Sequence, residues 1–305
     1  MESDARGDAR LGRRFEIAAP DGAMTGRRFG APGAPPLLFA HANGLCASAY
    51  APLFGALGDA FDVFAVDLRG HGRSRLPTPA GRLKDWSAHS EDIAAALDRL
   101  QAARPDAGPW TLAGHSLGAV SSLLMAARRP EPLALRLLDP VILGVPPRLA
   151  RSALWAPIGR RLPIAKAAAA RRSRWPSREE THESYALKPL FARWAPAALE
   201  GYLADGLVED EAGVRLACAP AWEAANFAAQ GNDALGAARR LMARPGAHLA
   251  ILAAERGSTL GRAARRRLAR LGASLEVAQD AGHLFPLERP EEAAAFLRGA
   301  PAAPA

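Results

Sequence analysis

The segment Gly114-His115-Ser116-Leu117-Gly118 sets a serine between two glycines in a G-x-S-x-G pattern. An apolar run at 110–113 precedes it and a helix-like run at 120–129 follows, so Ser116 falls on a sharp strand-to-helix turn. Such a turn strains the serine backbone and leaves no room for a β-carbon at Gly114 or Gly118. It also holds the hydroxyl clear of the sheet, with the first backbone N–H groups of the helix beside it. A hydroxyl is a poor nucleophile until a base takes its proton. Of seven histidines, His283 follows the last expected strand on a glycine-containing loop, at the sheet edge that presents Ser116. His41 and His115 read as structural hydrogen bonders, and His71 belongs to a turn. An acid must orient the imidazole, and Asp67, Asp139 and Glu255 each end a strand. From Ser116 the chain descends a helix of roughly 20 Å and returns up a strand at 135–138, which brings Asp139 out beside the serine. Glu255 ends the next strand along the same edge. A serine, a histidine base and aimed N–H groups suit acyl transfer: attack on a carbonyl, a tetrahedral oxyanion, an acyl-enzyme, then water.

The elements that must position these groups follow from hydrophobic patterning. Short apolar runs alternate with amphipathic stretches, the pattern of an α/β protein with a mostly parallel sheet, and the candidate strands are 14–18, 25–30, 36–40, 63–67, 110–113, 135–138, 249–252 and 275–277. The first two runs form an antiparallel entry hairpin around Pro20-Asp21-Gly22. The stretch 90–103 reads as a helix capped by Ser90, with Ile93, Ala96, Leu97 and Leu100 on one face.

The alternation stops between 144 and 234, where prolines punctuate short helical pieces; this reads as an inserted helical region. From Val141 to Ser177 there is no Asp or Glu, while eight Lys and Arg fall inside. Those charges are either solvated helix faces or a positive rim that attracts an acidic substrate or another anionic surface. Over the whole chain, 39 Lys and Arg against 31 Asp and Glu give a net charge of +8, with acids interspersed. No zinc-finger, RNP or basic-helix pattern accompanies the charge, so no nucleic-acid partner is expected. The composition, 49% hydrophobic and 23% charged, excludes a disordered or fibrous chain. Cys46 and Cys218 form no disulfide framework and no metal spacing. Residues 1–14 lack an apolar h-region and carry too many acids for a transit peptide, which points to a cytoplasmic protein. The uncharged stretch 110–127 is interrupted by Gly114, His115, Ser116 and Gly118, so no integral membrane segment is expected.

Taken in order, Phe39-Ala40-His41-Ala42-Asn43-Gly44, Asp67-Leu68-Arg69-Gly70-His71-Gly72-Arg73-Ser74, Gly114-His115-Ser116-Leu117-Gly118 and Gly282-His283 with Pro286-Leu287-Glu288-Arg289-Pro290 resemble the α/β-hydrolase fold enzymes over nearly the whole chain. The resemblance implies a mostly parallel eight-stranded sheet flanked by helices. With it, 14–143 and 235–300 are expected to form the core and the helical insertion at 144–234 a cap, while the composition of the N-terminus makes 1–13 a flexible tail. The resemblance further implies an oxyanion hole from the backbone N–H groups of Leu117 and Asn43, with Ala42 where the family usually has glycine. The family's commonest acid, an aspartate beyond the glycine that follows strand seven, is missing from Glu255-Arg256-Gly257-Ser258-Thr259. That loop is similar to the one in haloalkane dehalogenases and relatives that place the acid after strand six, the position of Asp139; Glu255 is the alternative. Dehalogenases and epoxide hydrolases of this fold attack with an aspartate, and Ser116 argues against both.

The expected activity is hydrolysis of a small or medium carboxylic ester with an apolar acyl group, without metal or organic cofactor. The same triad serves C–C bond, thioester or amide hydrolysis, acyl transfer and perhydrolysis, and a non-catalytic ligand-binding member is a further alternative. The aromatics of the insertion, Trp155, Trp175, Tyr185, Trp194, Tyr202, Trp222 and Phe227, are expected to build its core or to line an acyl pocket.

Overall fold

The computed structural model describes residues 9–131 and 133–299. Of the expected tail at 1–13, residues 1–8 lie outside the described residues; Ala9–Leu11 form a 3-10 turn that runs directly into the first strand.

In the first half, β1 (Arg13–Ala19) and β2 (Gly22–Gly30) form the entry hairpin. They are followed by β3 (Pro36–Ala40), α1 (Ala51–Leu57), β4 (Asp62–Val66), α2 (Ser87–Ala102), β5 (Thr111–His115), α3 (Leu117–Ala126) and β6 (Ala134–Leu138). The chain then leaves the sheet for α4 (Pro147–Ala150), α5 (Trp155–Arg161), α6 (Pro163–Ala169), β7 (Arg174–Trp175), α7 (Arg178–Ala186), α8 (Pro196–Gly206), β8 (Leu207–Asp210), β9 (Gly213–Leu216) and α9 (Pro220–Ala228). It returns through α10 (Ala234–Met242), β10 (His248–Ala254), α11 (Arg262–Arg270), β11 (Ser274–Ala278), α12 (Phe285–Glu288) and α13 (Pro290–Arg298).

The eight strands of the main sheet lie in the order β1-β2-β4-β3-β5-β6-β10-β11. Pairing is antiparallel from β1 to β2 and from β2 to β4, and parallel across the rest. The run Pro36-Leu37-Leu38-Phe39-Ala40 is buried at every position, as a central parallel strand covered on both faces requires. Strand β4 is likewise wholly buried, including Asp62, whose carboxylate is held by Arg28 and Arg104 at 2.7 Å each. Two apolar cores result, one on each face. Ile93, Leu97, Val120 and Leu123 of α2 and α3 fill the first; Leu53, Phe54, Phe296 and Leu297 of α1 and α13 fill the second.

Two expectations change in detail. The helix read as starting at Ser90 begins a turn earlier, at Ser87. Asp85 and Asn232 side chains take the Ser87 and Trp86 N–H groups, and Ser90 is buried, accepting from Arg128. The insertion is not purely helical: β7, β9 and β8 form a three-stranded antiparallel sheet. These strands are two to four residues long, too short for a period-two pattern to separate them from loop. Five of the insertion's aromatics pack on one another, with the Tyr185 and Phe191 rings stacked at 4.5 Å, Trp175 edge-on to Tyr185 and Trp194 edge-on to Tyr202, while the Trp222 ring lies against His89.

Candidate active site

Parallel register brings the strand ends to one edge. Ala40 pairs with Gly114, His115 with Leu138, and Leu138 with Leu252. Ser116, Asp139 and Glu255 therefore all emerge on the same side of the sheet. Ser116 caps α3 in a left-handed conformation (φ 57°, ψ −113°), and its N–H donates to the Leu138 carbonyl at 3.0 Å. The turn closes only because its flanks lack side chains. A β-carbon at Gly118 would lie 2.2 Å from the Ala40 carbonyl oxygen, and one at Gly114 would lie 2.7 Å from the Gly118 backbone. Ser116 is 6% exposed.

His283 reaches this serine from the loop after β11. Its Nε2 accepts from Ser116 Oγ at 3.0 Å, and its Nδ1–H donates to Asp139 Oδ2 at 2.6 Å. Asp139 is fully buried, and both carboxylate oxygens accept hydrogen bonds. Oδ1 accepts from the Ala254 N–H at 3.1 Å and from the Ser258 hydroxyl; Oδ2 also accepts from the Thr259 N–H at 3.1 Å. Burial pushes its carboxyl up, but the hydrogen bond from His283, with the Ser258 and Thr259 donors, outweighs it and holds the carboxyl below the usual range. Glu255 is not brought to the imidazole. Its carboxylate accepts the Asp280 N–H at 2.7 Å and so ties down the loop that carries His283.

Four further histidines are buried around the site, and burial pushes each down to about 3, so all are neutral. His115 links three loops: the Ala42 N–H donates to Tyr50 Oη, Tyr50 donates to His115 Nδ1, and His115 Nε2–H donates to the His283 carbonyl at 2.9 Å. His41 accepts the Leu68 N–H and donates to the Ala42 carbonyl, while His71 accepts the Gly44 N–H. The loop 41–44 is thus held by ring nitrogens on both sides. Ala42 needs no glycine's freedom here, because the left-handed residue of the loop is Gly44 (φ 76°). The Leu117 N–H is the first of α3 and lacks an intrahelical acceptor. The Asn43 N–H has no acceptor among the described residues.

Helix α9 lies over this loop. Asn43 Nδ2 donates to the Glu223 carbonyl at 3.0 Å, and Trp222 Nε1 donates to the Arg69 carbonyl at 2.9 Å. The Glu223 carboxylate is paired with Arg171 at 2.6 Å, and Arg171 also donates to the Tyr185 and Tyr202 hydroxyls. Burial pushes the Glu223 carboxyl up although Arg171 opposes it.

Sequence reasoning passed over Tyr50, Ser258, Thr259 and Asp280. The hydroxyl pair after Gly257 was the available signal: donors in that loop complement an acid on the neighbouring strand. Tyr50 and Asp280 carry no signature outside the fold.

With the geometry in place, comparison with known proteins adds relatives. The sequence model described as the alpha/beta hydrolase family matches residues 37–296. A 2-(acetamidomethylene)succinate hydrolase from Mesorhizobium japonicum is 34% identical over 131 residues, 43% of each chain, so the match spans less than half of that protein's length. The crystal structure of an E-2-(acetamidomethylene)succinate hydrolase superposes with a TM-score of 0.72 at 22% identity, covering 93% of this chain and 97% of that one. A thermophilic esterase from Thermogutta terrifontis superposes with a TM-score of 0.64 at 22% identity, covering 94% and 97%.

Proposed function

Because the chain belongs to the alpha/beta hydrolase family, we propose that it is a serine hydrolase that cleaves a small or medium carboxylic ester through an acyl-enzyme on Ser116. The observation that carries this reading is the unbroken line from Ser116 Oγ through His283 to the buried Asp139 carboxylate. His283 Nε2 takes the Ser116 proton as Oγ bonds to the carbonyl carbon. The carbonyl oxygen becomes an oxyanion facing the Leu117 and Asn43 N–H groups, an oxyanion hole whose donors are not spent on the protein itself. The imidazolium, stabilised by Asp139, then gives its proton to the leaving alkoxide. Water, deprotonated by His283 in turn, attacks the acyl carbon and releases a carboxylic acid and the free serine.

In this reading 14–143 and 235–300 carry the chemistry, and 144–234 act as a cap whose α9 roofs the loop 41–44 and excludes water from an apolar acyl group. The buried free thiols of Cys46 and Cys218 suit a cytoplasmic setting. A second reading, hydrolysis of an amide, is favoured by the relative at 34% identity, whose named substrate carries an acetamido group on a succinate.

The test is labelling with a small fluorophosphonate, mapped by mass spectrometry, followed by a panel of esters and N-acyl amides matched in acyl group. A single adduct on Ser116, lost in His283→Ala, with esters turned over, is the expected result. Turnover of the amides alone transfers the assignment to the second reading. A folded protein without an adduct refutes both.

A further inference from the structure

The outer face of α4–α6 is built the wrong way round for water. Its buried positions are small: Ala150, Gly159, Ala165 and Ala168. Gly159 is pressed against α9, where a β-carbon would lie 2.7 Å from the Ala228 carbonyl oxygen, and Trp155 Nε1 donates to that same oxygen. The large aliphatics point outward instead. Leu143, Leu149, Leu154, Ile158 and Ile164 are 43% to 73% exposed, and they are five of the eight large apolar side chains that stand exposed among the described residues. Leu154, the N-cap of α5, and Ile158 lie four residues apart, with Arg161 three residues further on, so apolar and basic groups share one side.

The charge of this face is one-sided. No acid occurs from Val141 to Ser177, against eight Lys and Arg. Among the described residues Arg151, Arg171, Arg172 and Arg174 pair with carboxylates outside the segment, while Arg148, Arg160, Arg161 and Lys166 have no acidic partner.

We propose that the face formed by α4–α6 docks on an anionic lipid bilayer, Leu154, Ile158 and Ile164 entering the acyl boundary while Arg148, Arg160 and Arg161 meet headgroup phosphates. Charge and apolarity together select this occupant. A nucleic-acid backbone offers nothing to the five aliphatics. A second copy of the chain brings the same uncompensated cations and is repelled. An anionic membrane surface satisfies both at once, as it does for basic amphipathic helices lying in the interface. The helices are too short to cross a bilayer, so the contact is peripheral.

The experiment is co-sedimentation of the full chain with phosphatidylcholine vesicles containing one third phosphatidylglycerol, and with phosphatidylcholine alone. Two variants are compared, Leu154→Ser/Ile158→Ser/Ile164→Ser and Arg160→Gln/Arg161→Gln, each checked by circular dichroism and by fluorophosphonate labelling of Ser116. The expected result is binding to anionic vesicles alone, weakened on the order of tenfold in each variant. Failure to sediment, equal binding to phosphatidylcholine, or binding untouched by the serine substitutions overturns the proposal. So does concentration-dependent self-association that the serine substitutions abolish, because it gives the face to a second copy.

Discussion

Replacing Asp139 by asparagine keeps the shape of the side chain and removes its charge, which makes it the most direct probe of the proposed triad. Four donors lie within 3.1 Å of the carboxylate: His283 Nδ1–H at 2.6 Å, the Ala254 and Thr259 N–H groups at 3.1 Å each, and the Ser258 hydroxyl. An amide has one acceptor oxygen and brings two donors of its own, so whichever way it turns a buried N–H loses its acceptor, at about 1–3 kcal/mol. With the NH2 toward His283, the imidazole must accept at Nδ1 and carry its proton on Nε2, where it no longer takes a proton from Ser116. With the NH2 toward Ala254, the productive tautomer survives but nothing balances the imidazolium that forms. Both orientations strip the transition state of its counter-charge, and kcat is expected to fall about 10⁴-fold, or about 5.5 kcal/mol. Glu255→Gln is the matched control. Its amide oxygen still accepts the Asp280 N–H, so kcat stays within about threefold of the parent. Both variants are compared by steady-state hydrolysis of an activated ester and by the rate of fluorophosphonate labelling, with folding followed by circular dichroism. An Asp139→Asn protein that is folded and within tenfold of the parent refutes the assignment, and an equal loss in Glu255→Gln moves the role there.

Gly118→Ala sets a β-carbon 2.2 Å from the Ala40 carbonyl oxygen and 2.5 Å from that of His41, backbone atoms that cannot swing aside. The strain falls on the loop bearing Asn43, and a loss of about 3 kcal/mol in urea unfolding is expected together with reduced kcat; Gly282→Ala, which meets nothing within 4 Å, stays within about 0.5 kcal/mol, and the reverse order contradicts the packing. Stability should also collapse in mild acid. His41, His71, His89 and His115 are held near 3 by burial against an ordinary 6.5, so only the unfolded chain takes up protons between those values. Their contribution is complete above about pH 7 and lost as pH falls, at roughly 2 kcal/mol each by pH 5, about 8 in total. Asp67, raised by burial to about 6 from 3.8, runs the other way, because its folded form holds the proton in that window and returns about 1 kcal/mol by pH 5. A melting temperature that is flat or rising from pH 7 to pH 5 would sink this account.

The sheet was legible because its central strands are buried on both faces and read as apolar runs, interrupted only by Arg136 in β6, with ends within a residue or two of 36–40, 135–138 and 249–252. Ser116, Asp139 and His283 could be drawn to one edge because parallel pairing fixes the direction of every strand. What stayed hidden depends on contacts between distant segments. Glu255 ends a strand as Asp139 does, and although the loop that follows it resembles those of relatives whose acid follows strand six, sequence spacing gives no sign that Glu255 turns instead toward the Asp280 N–H. The choice is made by Ser258 and Thr259, whose donors fit an acid on β6. Ser90 looked like a cap because its type favours one, but packing of Trp86 and Ser90 against neighbouring segments carried the helix a turn further back.

The same edge explains where the backbone departs from ordinary geometry. Among the described residues three that are not glycine have positive φ: Ser116 at 57°, Asp139 at 37° and Asp280 at 56°. They end β5, β6 and β11, and each costs of order 1–3 kcal/mol. Each is pinned by an acceptor one strand over. The Ser116 N–H donates to Leu138 at the end of β6, the Asp139 N–H to Leu252 near the end of β10, and the Asp280 N–H to Glu255 just past β10. Serine, acid and the histidine loop are therefore held by one ladder of hydrogen bonds that the core behind it keeps in register. Relaxing any of the three turns would restore a comfortable backbone and rotate its side chain away from the other two. On this reading the strain is inseparable from the reach that aligns Ser116, His283 and Asp139, and Glu255 supports the chemistry by position, as the pin of the third turn.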